Sequence, residues 1–436
     1  MRYLVLFTVC YLIIFNAAAQ NADTIIAELK EINNNIGSKS YDGNGPAAIS
    51  NRGMNVFMAD KTGYLSSNTD LSYYTNYLTF NSSEGRITVS HNFQPAAGRD
   101  EPIKTLFCIG FDMTLASSYT KGFFDNRYEA GLGISLNYKW LGSIKTVFRD
   151  KGQQQAIDAL RVALLQSLIK EIQQKETDFE SMLKGLDSAS LPGQHTASAK
   201  NLLRQNFYDE LKSCFEEKFA LTQAILLTKT GNFKRISTGW TSIAACLPLV
   251  FPKYYTATSL TSSFNNKHPY PAGILFEHTR LWESSRMGRL FFSAGGKMLF
   301  NNTKLSYGLN KLNSGEYKSL GGTASQNDPG AGDDKLYIGS YQTFFTPAIT
   351  VRAVYFPRES HVGISLLAEQ YFGKYNWLNA KLAIPVVLIN SKKTPAVNIE
   401  CFLLFLNCSN QPTTGNGPGK TQLGLSAGIP FSRLMF

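Results

Sequence analysis

The dominant pattern along the chain is alternation. In "RYEAGLGISLNYK", Tyr128, Ala130, Leu132, Ile134, Leu136 and Tyr138 share one face, and Arg127, Glu129, Gly131, Gly133, Ser135, Asn137 and Lys139 share the other. A period of two sends successive side chains to opposite faces of a strand, so the stretch reads as a strand with one greasy and one wet side. "IKTLFCIGFDMTL" repeats it, with Ile103, Phe107, Ile109, Phe111, Met113 and Leu115 set against Lys104, Gly110, Asp112 and Thr114. "HVGISLLAEQYF", "WLNAKLAIPVVLI" and "TQLGLSAGIPF" follow the same rule, the last with Leu423, Leu425, Ala427, Ile429 and Phe431 on its apolar face. Weaker alternation over 70–80, 85–94, 236–250, 272–284, 288–303, 344–356 and 396–407 brings the expected number of strands to about twelve.

Two stretches break the β pattern. From 152 to about 186 the apolar positions Ile157, Leu160, Leu164, Leu168 and Ile172 recur at helical spacing, and from 199 to about 227 Leu203, Phe207, Leu211 and Phe215 do the same. Gly185 and the segment "SASLPGQH" separate them, which predicts a helix hairpin. A short amphipathic piece, "NADTIIAELKEI", precedes the first strands.

Alternation alone does not say what the greasy face touches, because a soluble sandwich turns the same face inward. The connections discriminate. Short links at 285–287, 357–360 and 390–395 alternate with long ones at 251–271, 305–343 and 408–420, the arrangement of a transmembrane barrel with turns on one side and loops on the other. Aromatic pairs near strand ends (Tyr128 and Tyr138, Phe345 and Tyr355, Phe372 and Trp377) suit the two membrane–water interfaces. The long loop "NSGEYKSLGGTASQNDPGAGDD" has no apolar period and reads as an external loop.

The expected organisation is a signal peptide at 1–19, a periplasmic lead-in or plug at 20–69, the first part of the barrel at 70–150, a helical hairpin at 151–232 and the rest of the barrel at 233–436. The signal peptide is read from Arg2, the apolar run to Phe15, and the small residues Ala17 and Ala19. After Gln20 no stretch reaches the roughly eighteen apolar residues of a membrane helix. Counting strands back from the end puts the hairpin on the side of the short turns, the periplasmic side.

Charge and cysteines narrow the classes further. The formal charge is +11, but Lys and Arg are dispersed, so no nucleic-acid arm is expected. Cys108, Cys214, Cys246, Cys401 and Cys408 are an odd set without CxxC spacing, which fits neither a disulfide framework nor a zinc site. Five histidines (His91, His195, His268, His278 and His361) leave room to ask about hydrolysis. Ser90–His91 and Ser360–His361 are neighbours in sequence, so a strand points them to opposite faces. The chain has no GxSxG, HExxH or phosphate loop, and "GAGDDK" lacks the spacing of a calcium loop. Neither an enzyme nor a metal or other cofactor is expected.

With an export signal, amphipathic strands over most of 70–436 and a terminal aromatic, the chain resembles Gram-negative outer-membrane β-barrel proteins in architecture. The resemblance implies an antiparallel transmembrane barrel in the cell outer membrane, in contact with its lipid. It also implies recognition by the barrel-assembly machinery through Phe431, Leu434 and Phe436, although Pro430 and Ser432 depart from the usual terminal alternation. If the greasy face meets lipid, the wet face lines the lumen. The lumen candidates are then Lys104, Asp112, Arg127, Glu129, Lys139, Arg289, Lys297, Arg352, Glu369, Lys381 and Glu400, a set with more basic than acidic members. Such a lining favours a channel or transporter for a small solute, unless the charges pair across strands and fill a small barrel. The alternative is a structural or assembly protein that docks a periplasmic partner through its helices, with an outer-membrane hydrolase ranked third. Whether the chain oligomerises is left open by the sequence.

Overall fold

The computed structural model describes residues 21–38, 47–65, 75–81, 86–93, 100–114, 131–187, 193–249, 254–259, 262–267, 272–303, 309–312, 336–374, 376–390, 395–408 and 421–433. The chain starts with two helices, α1 (Ala22–Ser38) and α2 (Asn51–Thr62), and a 3₁₀ turn at Gly63–Leu65. Strands β1 (Thr75–Asn81), β2 (Arg86–Phe93), β3 (Thr105–Thr114), β4 (Gly131–Leu141) and β5 (Lys145–Val147) follow. Helices α3 (Lys151–Asp187) and α4 (Gly193–Thr230) come next. Then come β6 (Arg235–Pro248), β7 (Tyr254–Ala257), β8 (Asn265–Lys267), β9 (Gly273–Ser284), β10 (Gly288–Asn302), β11 (Asn310–Leu312) and β12 (Leu336–Ile338). The last five are β13 (Thr343–Pro357), β14 (Ile364–Tyr371), β15 (Leu378–Ile389), β16 (Pro395–Phe405) and β17 (Thr421–Arg433).

Twelve of these strands close on themselves. The order is β4-β3-β2-β1-β17-β16-β15-β14-β13-β10-β9-β6, and β6 pairs back onto β4. Every pairing in the ring is antiparallel, and β1 meets β17 from Thr75↔Arg433 to Asn81↔Ser426. Closure leaves no edge strand, which a sheet in hydrocarbon cannot afford. The short β5 continues the line of β4 along β6, so the helices are spliced into the connection between two adjacent strands.

The wall is apolar outside and polar inside, the reverse of a sandwich. On β17, Leu423, Leu425 and Ile429 are exposed, whereas Gly424, Ser426 and Gly428 point inward and are buried. On β14 and β15, Ile364, Leu366, Leu382 and Ile384 face out, and Ser365 and Ala383 are buried inside. An exposed apolar band around a closed sheet with polar groups inside is the surface a lipid bilayer requires. Two positions break the expected alternation: Ile103 lies buried in the core, before β3 begins, and Trp377 is buried instead of exposed at an interface. Among the described residues no helix is long and apolar enough to cross a membrane.

Both ends of the described barrel strands, Thr75 and Arg433, lie at the rim where β9 turns into β10, β13 into β14 and β15 into β16. The β9–β10 turn requires Gly288, with φ +98°, because a Cβ there would stand 2.3 Å from the carbonyl oxygen of Phe356. At the opposite rim, β11-β12-β7-β8 form a small second sheet, with Tyr254 packed against Tyr337 and Tyr341.

The helices gather at the short-turn rim. At 1.5 Å per residue, α3 and α4 are each about 55 Å long. They run antiparallel, with Phe179 stacked on Phe207 at 3.8 Å between centroids. Their inner halves enclose α1 in a core of Ile25, Leu29, Leu168, Ile172, Leu211 and Phe215. Leu160 and Leu203, expected on the buried stripes, are exposed. Arg161 occupies the buried position instead, its guanidinium donating to Asn33 Oδ1 at 2.9 Å and to the carbonyl of Ala48 at 3.1 Å.

Candidate functional site in the barrel lumen

The lumen has two zones. Near the short-turn rim its wall is apolar: Ile236, Trp240, Leu281, Phe291, Val354, Phe356 and Val387 are all buried there. They are covered by α2, whose Met54, Val56, Phe57 and Met58 join the same core. Helix α2 is buried on every side, including Asn55, Lys61 and Thr62.

Both ends of α2 are fixed. At its N-terminus Ser50 is the cap, its Oγ accepting from Gly53 N at 3.1 Å, while the amide of Ser50 donates to Gln223 Oε1 on α4 at 2.7 Å. The Arg52 amide donates to Asp100 Oδ1 at 3.1 Å, and the Arg52 guanidinium pairs with Glu216 of α4 at 2.5 Å. Burial pushes the Asp100 carboxyl up to about 6, against the pull of the Arg52 and Asn51 donors. A Cβ at Gly53 would lie 3.2 Å from the Ala220 carbonyl, so the glycine allows α2 to pack close to α4. At the other end Lys61 meets Glu283 at 3.4 Å, and Glu283 also accepts from Arg289 Nε at 2.6 Å. Arg289 stacks on the Tyr64 ring at 4.0 Å, and the Tyr64 hydroxyl lies 3.2 Å from His361 Nδ1. Asn398 donates to the carbonyl of Gly63. The helix is thus held to the wall on one side and to the stalk on the other.

Farther from the short-turn rim the inward positions carry charge. Lys297 pairs with Glu369 across β13, and Glu369 accepts from the Tyr371 hydroxyl at 3.0 Å. Lys381 pairs with Glu400 and sits 4.2 Å over the ring of Phe402. Phe402 has room only because residue 424 is glycine, since a Cβ there would be 2.3 Å from its Cζ. Buried Arg352 faces the same space, and Lys139, Ser242 and Glu277 align in register across β4, β6 and β9. Thr279 and Ser293 are hydrogen-bonded at 2.8 Å between them.

Of the residues expected in the lumen, Lys139, Lys297, Arg352, Glu369, Lys381 and Glu400 therefore face this belt, and Arg289 lies at the plug instead. Lys104 precedes β3 and is exposed at the short-turn rim. Asp112 is on an inward position of β3, but its side chain lies outside the described residues, as do Arg127 and Glu129. Phe431 is in β17 with its side chain outside the description, and Leu434 and Phe436 lie beyond it. Sequence reasoning missed Lys61, Glu277 and Glu283. The readable signal for the last two was the spacing of Glu277, Thr279 and Glu283 at a period of two, masked by Leu281 inside and His278 and Arg280 outside.

The serine–histidine neighbours are not brought together as dyads. Ser90 is buried inside, its Oγ 2.6 Å from Cys108 Sγ, whereas His91 faces outward against Phe93. The Ser360 hydroxyl donates to the Val362 carbonyl at 2.7 Å. Cys108, Cys214, Cys246, Cys401 and Cys408 form no disulfides with one another, and no metal-binding cluster of His, Cys, Asp or Glu occurs among the described residues.

No protein-family model matches the chain, and a search of curated proteins finds no match. Among solved structures it is similar to the NanC porin, at 5% identity and a TM-score of 0.28 over 82% of this chain and 98% of that one. It is also similar to the β domain of the Bordetella autotransporter BrkA, at 6% identity and a TM-score of 0.26 over 82% and 97% of the two chains. At these values the likeness says nothing about activity. The chain resembles outer-membrane β-barrels in architecture, on the closed twelve-stranded antiparallel wall described above.

Proposed function

We propose that the chain is an outer-membrane barrel closed by its own α2, which anchors a helical stalk for docking a periplasmic protein partner. The orientation follows from the short turns, which in such barrels face the periplasm; the stalk is on their side. The observation that carries the reading is the burial of α2 in the base of the lumen. Exposing Met54, Val56, Phe57 and Met58 to water would cost about 1.5–3 kcal/mol each, roughly 6 kcal/mol or more together. At about 1.4 kcal/mol per tenfold, fewer than roughly one molecule in 10⁴ would be open unaided. A pore that rests this firmly shut does not serve passive diffusion.

The stalk supplies the docking surface. Beyond α1 no other described element packs on the hairpin, and Met182 and Leu202 are 54% and 59% exposed there. A photo-crosslinking residue at 182 or 202 in cells is expected to give a discrete protein adduct that disappears when the other position is changed, Leu202→Asp for the probe at 182 and Met182→Asp for the probe at 202, with heat-modifiable migration retained. A folded barrel whose stalk yields no adduct would contradict this reading.

The ionic belt favours a second reading, in which a small solute crosses once a partner withdraws α2. Lys139, Arg352 and the paired lysines would then line the path. Replacement of Arg352 by Ala should change the conductance of a barrel lacking α2 and leave the intact chain silent.

A further inference from the structure

The outer wall is apolar nearly all round, but not at the short-turn end of β5, β6 and β9. There the outward positions include Arg235, Lys145, Arg280 and His278, with Trp282 and Trp140 between them. The register orders them. Lys145 and Trp282 flank Ser237 in one row, Arg280 stands opposite Gly239 in the next, and Trp140 and His278 flank Thr241 in the third. Arg235, Lys145 and Arg280 are exposed. Arg280 lies 5.6 Å over the Trp282 ring, and His278 Nδ1 is 2.9 Å from Thr241 Oγ1.

Among the described residues, no carboxylate faces outward on β4, β5, β6, β9, β10 or β13; Glu277 and Glu283 both point inward and are buried. On the facing wall, the described outward positions of β14 to β17 are apolar apart from Gln370 and Thr421 at the opposite rim, as Leu366, Ile384, Leu403 and Leu425 illustrate. A cation beside hydrocarbon is costly unless an anion reaches it, and the described residues of these strands supply none on the outer face. Aromatic rings at this depth sit at the headgroup level, and each basic residue near an anionic surface contributes favourably.

We propose that this face of the barrel binds the phosphate of an anionic phospholipid in the periplasmic leaflet. Arg280, Lys145 and Arg235 take the headgroup, and Trp282 and Trp140 flank its glycerol and upper acyl region. The proposal rests on the reading that the wall faces membrane lipid.

The test is tryptophan quenching of the full chain in phosphatidylcholine vesicles containing brominated phosphatidylglycerol or brominated phosphatidylcholine. The relative binding constant should favour phosphatidylglycerol several-fold and fall to about one in Lys145→Gln/Arg235→Gln/Arg280→Gln. Raising the ionic strength should weaken the preference of the unaltered chain, a readout independent of whether the triple variant folds. A ratio near one in the unaltered chain overturns the site, as does a preference that survives the triple substitution in a protein that still shifts on boiling. A chain quenched by neither brominated lipid overturns the membrane reading and the site with it.

Discussion

The two zones of the lumen are built from the same strands with opposite chemistry. On β13, Val354 and Phe356 face α2, while Arg352 and Thr350, on the same face one and two inward positions farther up, face the belt. On β10 the step is from Phe291 to Ser293 and then Lys297. An inward residue is apolar where a helix covers it and polar where strand side chains must satisfy one another. The first arrangement gains from burial, and the second avoids the cost of unpaired charge. The lumen candidates of the sequence thus divide into the charged belt and, at Arg289, a contact with Glu283 and Tyr64 beside the end of α2.

The packed base is the zone most sensitive to substitution. Phe57→Ala with Met58→Ala removes two side chains from the packed zone, and each such change costs about 2–5 kcal/mol. Denaturation followed by the buried Trp240 should show an early transition for the base, with the wall still heat-modifiable; a single unshifted transition would mean that α2 contributes little.

In the belt, Lys381→Met should cost about 3–5 kcal/mol by stranding Glu400, and Lys381→Met/Glu400→Met should recover most of it. Denaturation midpoints check this, and a double variant as weak as the single one would show that the pair is not the reason for the loss.

The smallest effect is at the mouth. Asp100 binds its proton more tightly in the folded chain, at about 6 against an ordinary 3.8. The folded state therefore holds more protons between these values, and the stability of the base falls as pH rises from about 4 to about 6. Asp100→Asn should flatten this slope in midpoints measured against pH; a slope unchanged by the substitution would assign it to another group.

The wall was legible because one face of nearly every strand is an exposed apolar surface and the other, over most of its length, carries inward polar groups, so a period of two survives in the sequence. Twelve strands and the parity of β14, β15 and β17 follow from this. The plug was not legible in detail. A helix buried on all sides has no apolar stripe, and "NRGMNVFMADKT" mixes Met54, Phe57 and Met58 with Asn55, Lys61 and Thr62, all of them buried. The parity of β9 was hidden for two reasons acting together: Leu281 packs inward in the same core as α2, and the polar His278 and Arg280 face outward. Leu160 is exposed because Arg161, bonded to Asn33 and Ala48, takes the buried position beside it that spacing alone would give to an apolar residue.

The central claim, that α2 closes the barrel, is tested most directly by single-channel recording in planar bilayers, comparing the intact chain with one lacking residues 47–65. A barrel closed by α2 should be silent when intact and conduct steadily once the segment is gone, with heat-modifiable migration unchanged. Steady conductance from the intact chain, or continued silence from a folded barrel without the segment, would contradict it.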